Sequence, residues 1–203
     1  MQYKKEEIRN RIIKAAKEEF IKKGYQKASI RKIAAKAEIS VSNIYNYFNS
    51  KNEIFEVVLQ PLFTKVEFGK KYLMNFDLQT SDIKVTNLKE HQEFILKAAK
   101  FVEKNRELIS LLLFKSSGSN LADYKEKIMD WYVDYWFDYI EKADSNIEVN
   151  EYSVRNIAGV WYNLLEEVVR YEITGQDLED LVAEMTIYVF GGWNQLVDWK
   201  RKE

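Results

Sequence analysis

The sequence of 203 residues contains no cysteine and only one histidine and one proline. The lack of cysteine excludes disulfides, thiolate metal ligands and cysteine nucleophiles. Because His91 is the only histidine, most histidine-based zinc sites and Ser-His-Asp catalytic arrangements are excluded as well. A Gly-rich phosphate loop and a nucleophile elbow are also missing. We therefore expect a protein that is not an enzyme and that needs no metal or cofactor.

Long apolar runs are absent too, although 46% of the residues are hydrophobic, which is ample for a packed core. No window approaches the roughly 18 uninterrupted apolar residues of a membrane-spanning helix. Residues 1–7 are largely polar, and no apolar segment of a signal peptide follows them. These features predict a cytoplasmic protein without membrane association.

The net charge of −1 hides an uneven distribution of charge along the chain. Residues 1–60 carry 13 Lys and Arg against 7 Asp and Glu, a net charge of +6, whereas the remaining residues carry 18 against 25, a net charge of −7. This asymmetry is typical of a nucleic-acid-binding segment attached to a neutral or acidic body. Solvated lysines on a helix face would produce the same pattern.

Apolar residues recur at three-to-four-residue spacing along almost the whole chain, which has only seven glycines. The pattern predicts an all-α protein of about nine helices. The first helix is expected over about residues 4–23, ending at Gly24 in a left-handed conformation. A polar linker is expected at residues 75–87 and a turn at residues 144–146. The later helices are predicted at about residues 88–103, 105–116, 120–142, 151–174 and 177–200.

Two short helices are predicted behind the first one. Ser29 is expected to cap a helix through about Lys36, and Ser40 a second helix through about Tyr47. These dimensions match a helix-turn-helix whose second member enters the major groove, although a plain helical hairpin has the same spacing. Ser50 and Glu53 then form a capping box at the start of a fourth helix, which we expect to kink at Pro61.

The residues of this region closely resemble the TetR family of bacterial transcription regulators. The resemblance covers about residues 8–56 and lies in Gly24-Tyr25, Ser29 to Ala34, Ala37 to Ser40, Ile44 to Phe48 and Ser50-Lys51 through Ile54. It implies a homodimer in which each N-terminal domain reads half of a palindromic double-stranded DNA operator, while the C-terminal domain binds a small-molecule effector. We therefore predict a helix-turn-helix domain at residues 1–49, and a helical bundle for dimerisation and ligand binding at residues 50–203.

Eight residues are candidates for DNA contacts. Those expected at base edges are Val41, Ser42, Asn43 and Asn46. Those expected at phosphates are Ser29, Tyr45, Tyr47 and Lys51. The resemblance implies the phosphate role for three of them, Ser29, Tyr45 and Lys51.

The sequence departs from the family pattern at two positions. Glu38 replaces the usual glycine of the turn, and Ser42 replaces a common glycine or proline. Glu38 must therefore adopt a turn conformation that glycine would make easy, and it places a negative charge near the DNA.

The segment from Trp131 to Tyr139 is aromatic around most of its helix, and aromatic walls with a few polar groups are typical of ligand pockets. We expect a largely apolar effector that releases a repressor from its operator. The pocket candidates are Phe94, Phe101, Phe114, Trp131, Tyr135, Trp136, Tyr139, Trp161 and Tyr162. The same aromatics could simply fill a core in a regulator that is controlled through a protein partner. An enclosed cavity would favour the first interpretation.

The last two predicted helices carry apolar stripes with the period of a packing seam. Helices at corresponding positions form the dimer interface in the TetR family, so the resemblance implies the same role here. The interface candidates are Val154, Ile157, Trp161, Leu164, Val168, Leu181, Met185, Val189, Gly192 and Leu196. The alternative is that these stripes fill the core of one monomer.

Overall fold

The computed structural model describes residues 2–77, 84–143 and 147–202. Over these ranges it contains nine helices and no strand, so the predicted all-α fold is confirmed. Most of the predicted linker (residues 78–83) and the predicted turn at residues 144–146 lie outside the described residues. No helix in the described ranges is long and apolar enough to cross a membrane. The helices are α1 (Gln2–Lys27), α2 (Ile30–Lys36), α3 (Val41–Ile44), α4 (Lys51–Asp77), α5 (Leu88–Lys104), α6 (Arg106–Phe114), α7 (Tyr124–Ala143), α8 (Glu151–Arg170) and α9 (Gly175–Lys200).

The chain divides into two compact units. Unit 1 comprises Met1–Val66 and Glu107–Lys125, and unit 2 comprises Glu67–Arg106 and Glu126–Glu203. Helix α4 therefore begins in unit 1 and ends in unit 2, continuing through Pro61. The functional division at residue 49 stays a prediction.

Helix α1 is broken at Gly24, close to the predicted end of the first helix. The backbone there has φ 71° and ψ 167°, so φ is positive as expected, but ψ lies outside the left-handed helical region. A Cβ at this position would lie 3.3 Å from both the Cβ and the carbonyl oxygen of Lys115. The break lets the Tyr25 N–H donate to that oxygen at 2.8 Å. Glycine is thus required for both the conformation and the close approach.

The helix caps follow the prediction in part. Ser40 Oγ accepts from the Asn43 N–H at 3.2 Å, and Ser50 Oγ accepts from the Glu53 N–H at 3.1 Å. Ser29 occupies the N-cap of α2 but its hydroxyl makes no capping bond, which corrects the prediction. The Glu53 carboxylate accepts from the Asn49 N–H at 2.6 Å, one residue before the expected partner, and thereby satisfies a different amide.

Helix α3 is shorter than predicted, ending at Ile44 instead of about Tyr47. The chain continues in tighter turns, in which the Tyr47 N–H donates to the Ile44 carbonyl at 2.9 Å. Helix α7 starts at Tyr124, about four residues after the predicted start, and α8 ends about four residues early at Arg170.

Each unit has its own core. In unit 1 the ring of Phe55 lies 5.0 Å from both Phe20 and Tyr25 in edge-to-face geometry, which joins α4 to α1. Buried Ile33 and Ile44 attach α2 and α3 to the same unit. The unit 2 core is a cluster on α7, α8 and α9 and their flanking segments, comprising Val85, Val133, Ile140, Ile147, Val154, Ala158, Phe190, Trp193 and Val197.

Candidate functional site

The segment from Val41 to Tyr47 combines buried anchors with an exposed row of side chains. Ile44 is fully buried and Phe48, just beyond the segment, is 2% exposed, so α3 and the turn behind it are held against unit 1. Tyr45 is 51% exposed and Val41 is 37% exposed. Ser42 and Asn46 are exposed as well, and Asn43 is half-buried. The four residues predicted at base edges therefore all retain accessible surface.

Hydrogen bonds between side chains order this exposed row. The hydroxyls of Ser40 and Ser42 lie 2.9 Å apart, and Asn46 Nδ2 donates to Asn43 Oδ1 at 3.1 Å. The amide oxygen of Asn43 and one N–H of the Asn46 amide are therefore used in this hydrogen bond. The NH₂ group of Asn43 and the carbonyl of Asn46 are the ends that can meet the edge of a base, because side-chain amides pair there through complementary donors and acceptors.

Lys51, a predicted phosphate contact, is the first residue of α4, and its side chain contacts the end of α1. Its Nζ donates to the carbonyl oxygen of Gln26 at 3.3 Å and lies 4.6 Å from the centre of the Tyr25 ring. Burial lowers the pKa of Lys51 from its ordinary value, and the negative charge of Glu19 partly opposes that shift. Burial also raises the pKa of Tyr25, with a smaller contribution from Glu56. Lys51 therefore links the start of α4 to the end of α1.

Three acidic residues, none of which was predicted to make these contacts, connect the helix-turn-helix to α1. Glu18 pairs with Lys36, which holds the pKa of the Glu18 carboxyl below its ordinary value. Glu38 lies 3.3 Å from Arg11 and has φ 56°, so the turn does take a conformation that glycine favours. Glu19 accepts from the Ser29 N–H at 3.2 Å. The spacing of Glu18 and Glu19 along α1 gave no signal, because these contacts join positions at least ten residues apart.

Unit 2 contains a cavity of about 140 Å³. Three of the nine predicted pocket residues line it, namely Phe94, Trp136 and Trp161. The sequence analysis did not assign the other lining residues to the pocket, which are His91, Ile95, Ala98, Tyr132, Leu164, Leu165 and Phe190. The His91 ring lies 5.0 Å from Phe190, and its Nδ1 lies 3.0 Å from the Asn87 carbonyl oxygen at the start of α5. The cavity is therefore almost wholly apolar, with one imidazole in its wall.

The remaining pocket candidates lie elsewhere. Trp131 and Tyr135 stack on each other with centroids 5.5 Å apart, and Lys70 Nζ lies 4.8 Å from the Trp131 ring. Phe114 is 39% exposed and belongs to unit 1. Phe101, Tyr139 and Tyr162 belong to unit 2 but do not line the cavity.

The N-terminal region matches a known family model, described as bacterial regulatory proteins of the tetR family, over residues 12–58. These residues include every predicted DNA contact, from Ser29 to Lys51. YdgC of Bacillus subtilis (strain 168), described as an HTH-type transcriptional regulator, is 32% identical over 84 residues, which span 41% of this chain and 43% of that protein. Residues 12–58 of the chain therefore belong to the tetR family of bacterial regulatory proteins.

Solved structures share the fold of this chain over most of its length. A TetR-like regulator from Rhodococcus sp. RHA1 has a TM-score of 0.62 at 20% identity, covering 91% of this chain and 96% of that one. FadR from Bacillus subtilis in complex with stearoyl-CoA has a TM-score of 0.60 at 19% identity, with 90% and 97% covered. NalD, the secondary repressor of the MexAB-OprM multidrug efflux pump in Pseudomonas aeruginosa, has a TM-score of 0.60 at 16% identity, with 92% and 96% covered. At these identities the likeness concerns the fold.

The stripes predicted for the dimer interface are divided between core and surface. Four of the ten candidates are buried inside unit 2, namely Val154, Leu164, Val168 and Val189. Gly192 is exposed on α9, with open space around the position of a Cβ. The exposed face of α9 also carries Ile187, Tyr188 and Trp199, which are 64%, 73% and 54% exposed. The surface of α9 that could meet a second chain thus lies beside the predicted stripe, because the stripe itself partly fills the monomer core.

Proposed function

We propose that the chain is a sequence-specific DNA-binding transcription regulator. The observation that carries this proposal is the row of Val41, Ser42, Asn43 and Asn46, presented on a short helix whose other side is anchored by buried Ile44. A capped helix of this kind behind a supporting helix is suited to the major groove, where amide and hydroxyl side chains distinguish base pairs. Lys51 supplies a positive charge for phosphate, and the hydroxyls of Ser29 and Tyr45 supply hydrogen bonds.

The regulator acts as a symmetric dimer in this proposal. The exposed apolar residues of α9, Ile187, Tyr188 and Trp199, support a contact with a second copy, because large apolar side chains grouped on one surface are typical of interfaces. Gly191 and Gly192 on the same face would allow two backbones to approach closely. A two-fold dimer presents two recognition segments, which read two half-sites of a palindrome about 34 to 36 Å apart.

Selection from a pool of random duplexes tests DNA recognition directly. The wild-type protein should enrich an inverted repeat with half-sites one helical turn, or a multiple of it, apart. Recovery of the whole pool without enrichment would contradict sequence-specific recognition, and failure to retain any duplex would contradict DNA binding.

We further propose that a small, largely apolar effector binds in the unit 2 cavity and releases the protein from its operator, as a repressor. The volume of about 140 Å³ and the aromatic lining support this proposal over control by a protein partner alone. Trp136 and Trp161 line the cavity, so a bound effector should change tryptophan fluorescence. A library of hydrophobic metabolites that gives neither a fluorescence change nor thermal stabilisation would favour the protein-partner alternative. The DNA-binding proposal would be unaffected.

A further inference from the structure

We propose that Glu19 is a positioning residue for the phosphate contacts of the DNA-binding unit. Its carboxylate holds the backbone of Ser29, which sets that residue for a phosphate. This inference rests on the proposed DNA-binding function and adds a residue from the supporting helix α1 to it. A carboxylate ordinarily weakens binding to a polyanion, so its removal should tighten binding. The removal of Glu19 is expected to weaken binding instead.

The first observation is the contact with Ser29. Glu19 Oε1 accepts from the Ser29 N–H at 3.2 Å, across ten residues of sequence, and both residues are half-buried. Ser29 occupies the extended N-cap position of α2 with φ −110° and ψ 120°, yet its hydroxyl makes no bond to the amides of α2. Glu19 therefore satisfies the Ser29 amide and fixes the residue, while the Ser29 hydroxyl is not used for capping.

The second observation is the electrostatic coupling between Glu19 and Lys51. Lys51 Nζ is held by the Gln26 carbonyl at 3.3 Å and by the face of Tyr25 at 4.6 Å, both at the end of α1. Neither of these groups carries a full negative charge. Burial favours the neutral amine, and the charge of Glu19 counteracts that tendency. The charge of Glu19 is the smaller of the two causes at Lys51, so the hydrogen bond to Ser29 carries the positioning role.

Glu18 provides a matched control within the same helix. It carries the same charge one position away and is exposed, but it pairs with Lys36 and not with Ser29. If repulsion of DNA were the main effect of these carboxylates, removing either one should tighten binding to a similar extent. If Glu19 positions Ser29, its removal should have the opposite effect from the removal of Glu18.

The test is a binding titration on a mixed-sequence duplex of about 30 base pairs, at two salt concentrations, with four proteins. Glu18→Gln should bind as tightly as the wild type or more tightly. Glu19→Ala should bind about five- to ten-fold more weakly, the effect of losing a hydrogen bond that orders a contact residue. Glu19→Gln keeps an acceptor for the Ser29 N–H, so it should restore binding to within about two-fold of the wild type. That rescue would not be expected if the charge alone mattered.

Tighter binding by Glu19→Ala, equal to that of Glu18→Gln, would overturn the positioning role and leave Glu19 as a source of repulsion. The proposed DNA-binding function fails separately, if the wild-type protein does not bind the duplex.

Far-UV circular dichroism and the thermal midpoint of each variant check folding. If Glu19→Ala does not fold, Glu19→Asp replaces it, because a shorter side chain keeps the charge but withdraws the oxygen from Ser29. It should then bind more weakly than the wild type, and unchanged binding would overturn the proposal.

Discussion

The two units differ in how completely they bury their large side chains. Among the described residues, ten of the eleven largest fully buried side chains lie in unit 1, and only Leu178 lies in unit 2. In unit 2 the aromatics Tyr132, Trp136 and Trp161 are only partly buried, and they surround a cavity. Tight packing gives a fixed geometry, which the reading of base edges requires, whereas a looser aromatic wall can adjust to a ligand. The comparison teaches that the two proposed functions, reading DNA and sensing a ligand, call for opposite kinds of core.

The largest effect should come from breaking the tight core. Phe20→Ala removes a fully buried ring that contacts Phe55 at 5.0 Å, and it should lower the free energy of unfolding by about 3 to 5 kcal/mol. Phe94 is only half-buried, so Phe94→Ala removes less buried surface and should cost less than about 2 kcal/mol. Urea denaturation of both variants measures the difference. Equal losses would mean that the two cores are packed alike.

The next largest effect concerns the exposed face of α9. Tyr188→Glu places a charge on the proposed contact surface without entering the core, so the dimer should dissociate at least about 100-fold more readily while the fold is retained. Sedimentation at micromolar concentration measures the change, with Lys97→Glu on exposed α5 surface as a control that should stay dimeric. A wild-type monomer would contradict the proposed dimer, and a Tyr188→Glu protein that stays dimeric would move the interface away from α9.

Much of this fold could be predicted from the sequence, because helix periods and caps are local signals. The N-cap of α3 at Ser40 and the break at Gly24 were predicted from residues only a few positions apart in the sequence. The burial of Val154 and Leu164 could not be predicted, because an apolar stripe has the same period whether it faces its own core or a second chain.

The positions of the candidate DNA contacts came from the family resemblance, and their roles stay predictions. Aromatic composition identified Trp136 and Trp161 as cavity residues but could not separate them from Trp131, which stacks on Tyr135 instead. His91 lies near the start of α5, but its place in the cavity wall depends on Phe190, about 100 residues further along the chain. Contacts of this range leave no local pattern.

Two substitutions in unit 1 should separate affinity from specificity. Asn43→Ala should relax preference at one operator position by about 1 to 3 kcal/mol if its amide pairs with a base. Lys51→Ala should weaken binding to all sequences alike. It should also reduce the slope of log K against log salt concentration by about one, because one phosphate contact is lost. Titrations on a panel of operator variants measure both. A Lys51→Ala protein with full affinity would remove Lys51 from the phosphate contacts.

The smallest effect should be a pH dependence. Because burial lowers the pKa of Lys51, its ammonium loses its proton at a lower pH than an ordinary lysine, for which the pKa is about 10.4. DNA affinity of the wild type should therefore begin to fall at a lower alkaline pH than that of Lys51→Arg, by a few-fold at most. Titrations between neutral pH and the ordinary lysine pKa, with Lys51→Ala as the control that lacks the group, measure this. Parallel profiles for the wild type and Lys51→Arg would contradict the assignment.

The claim that the segment from Val41 to Tyr47 reads DNA sequence is tested most directly by repeating the duplex selection with a changed segment. The variant replaces Val41, Ser42, Asn43 and Asn46 by alanine and keeps the buried anchors Ile44 and Phe48. The account predicts that the wild type enriches an inverted repeat and that the variant still binds DNA but enriches either no sequence or a different one. Enrichment of the same repeat by both proteins would contradict the account.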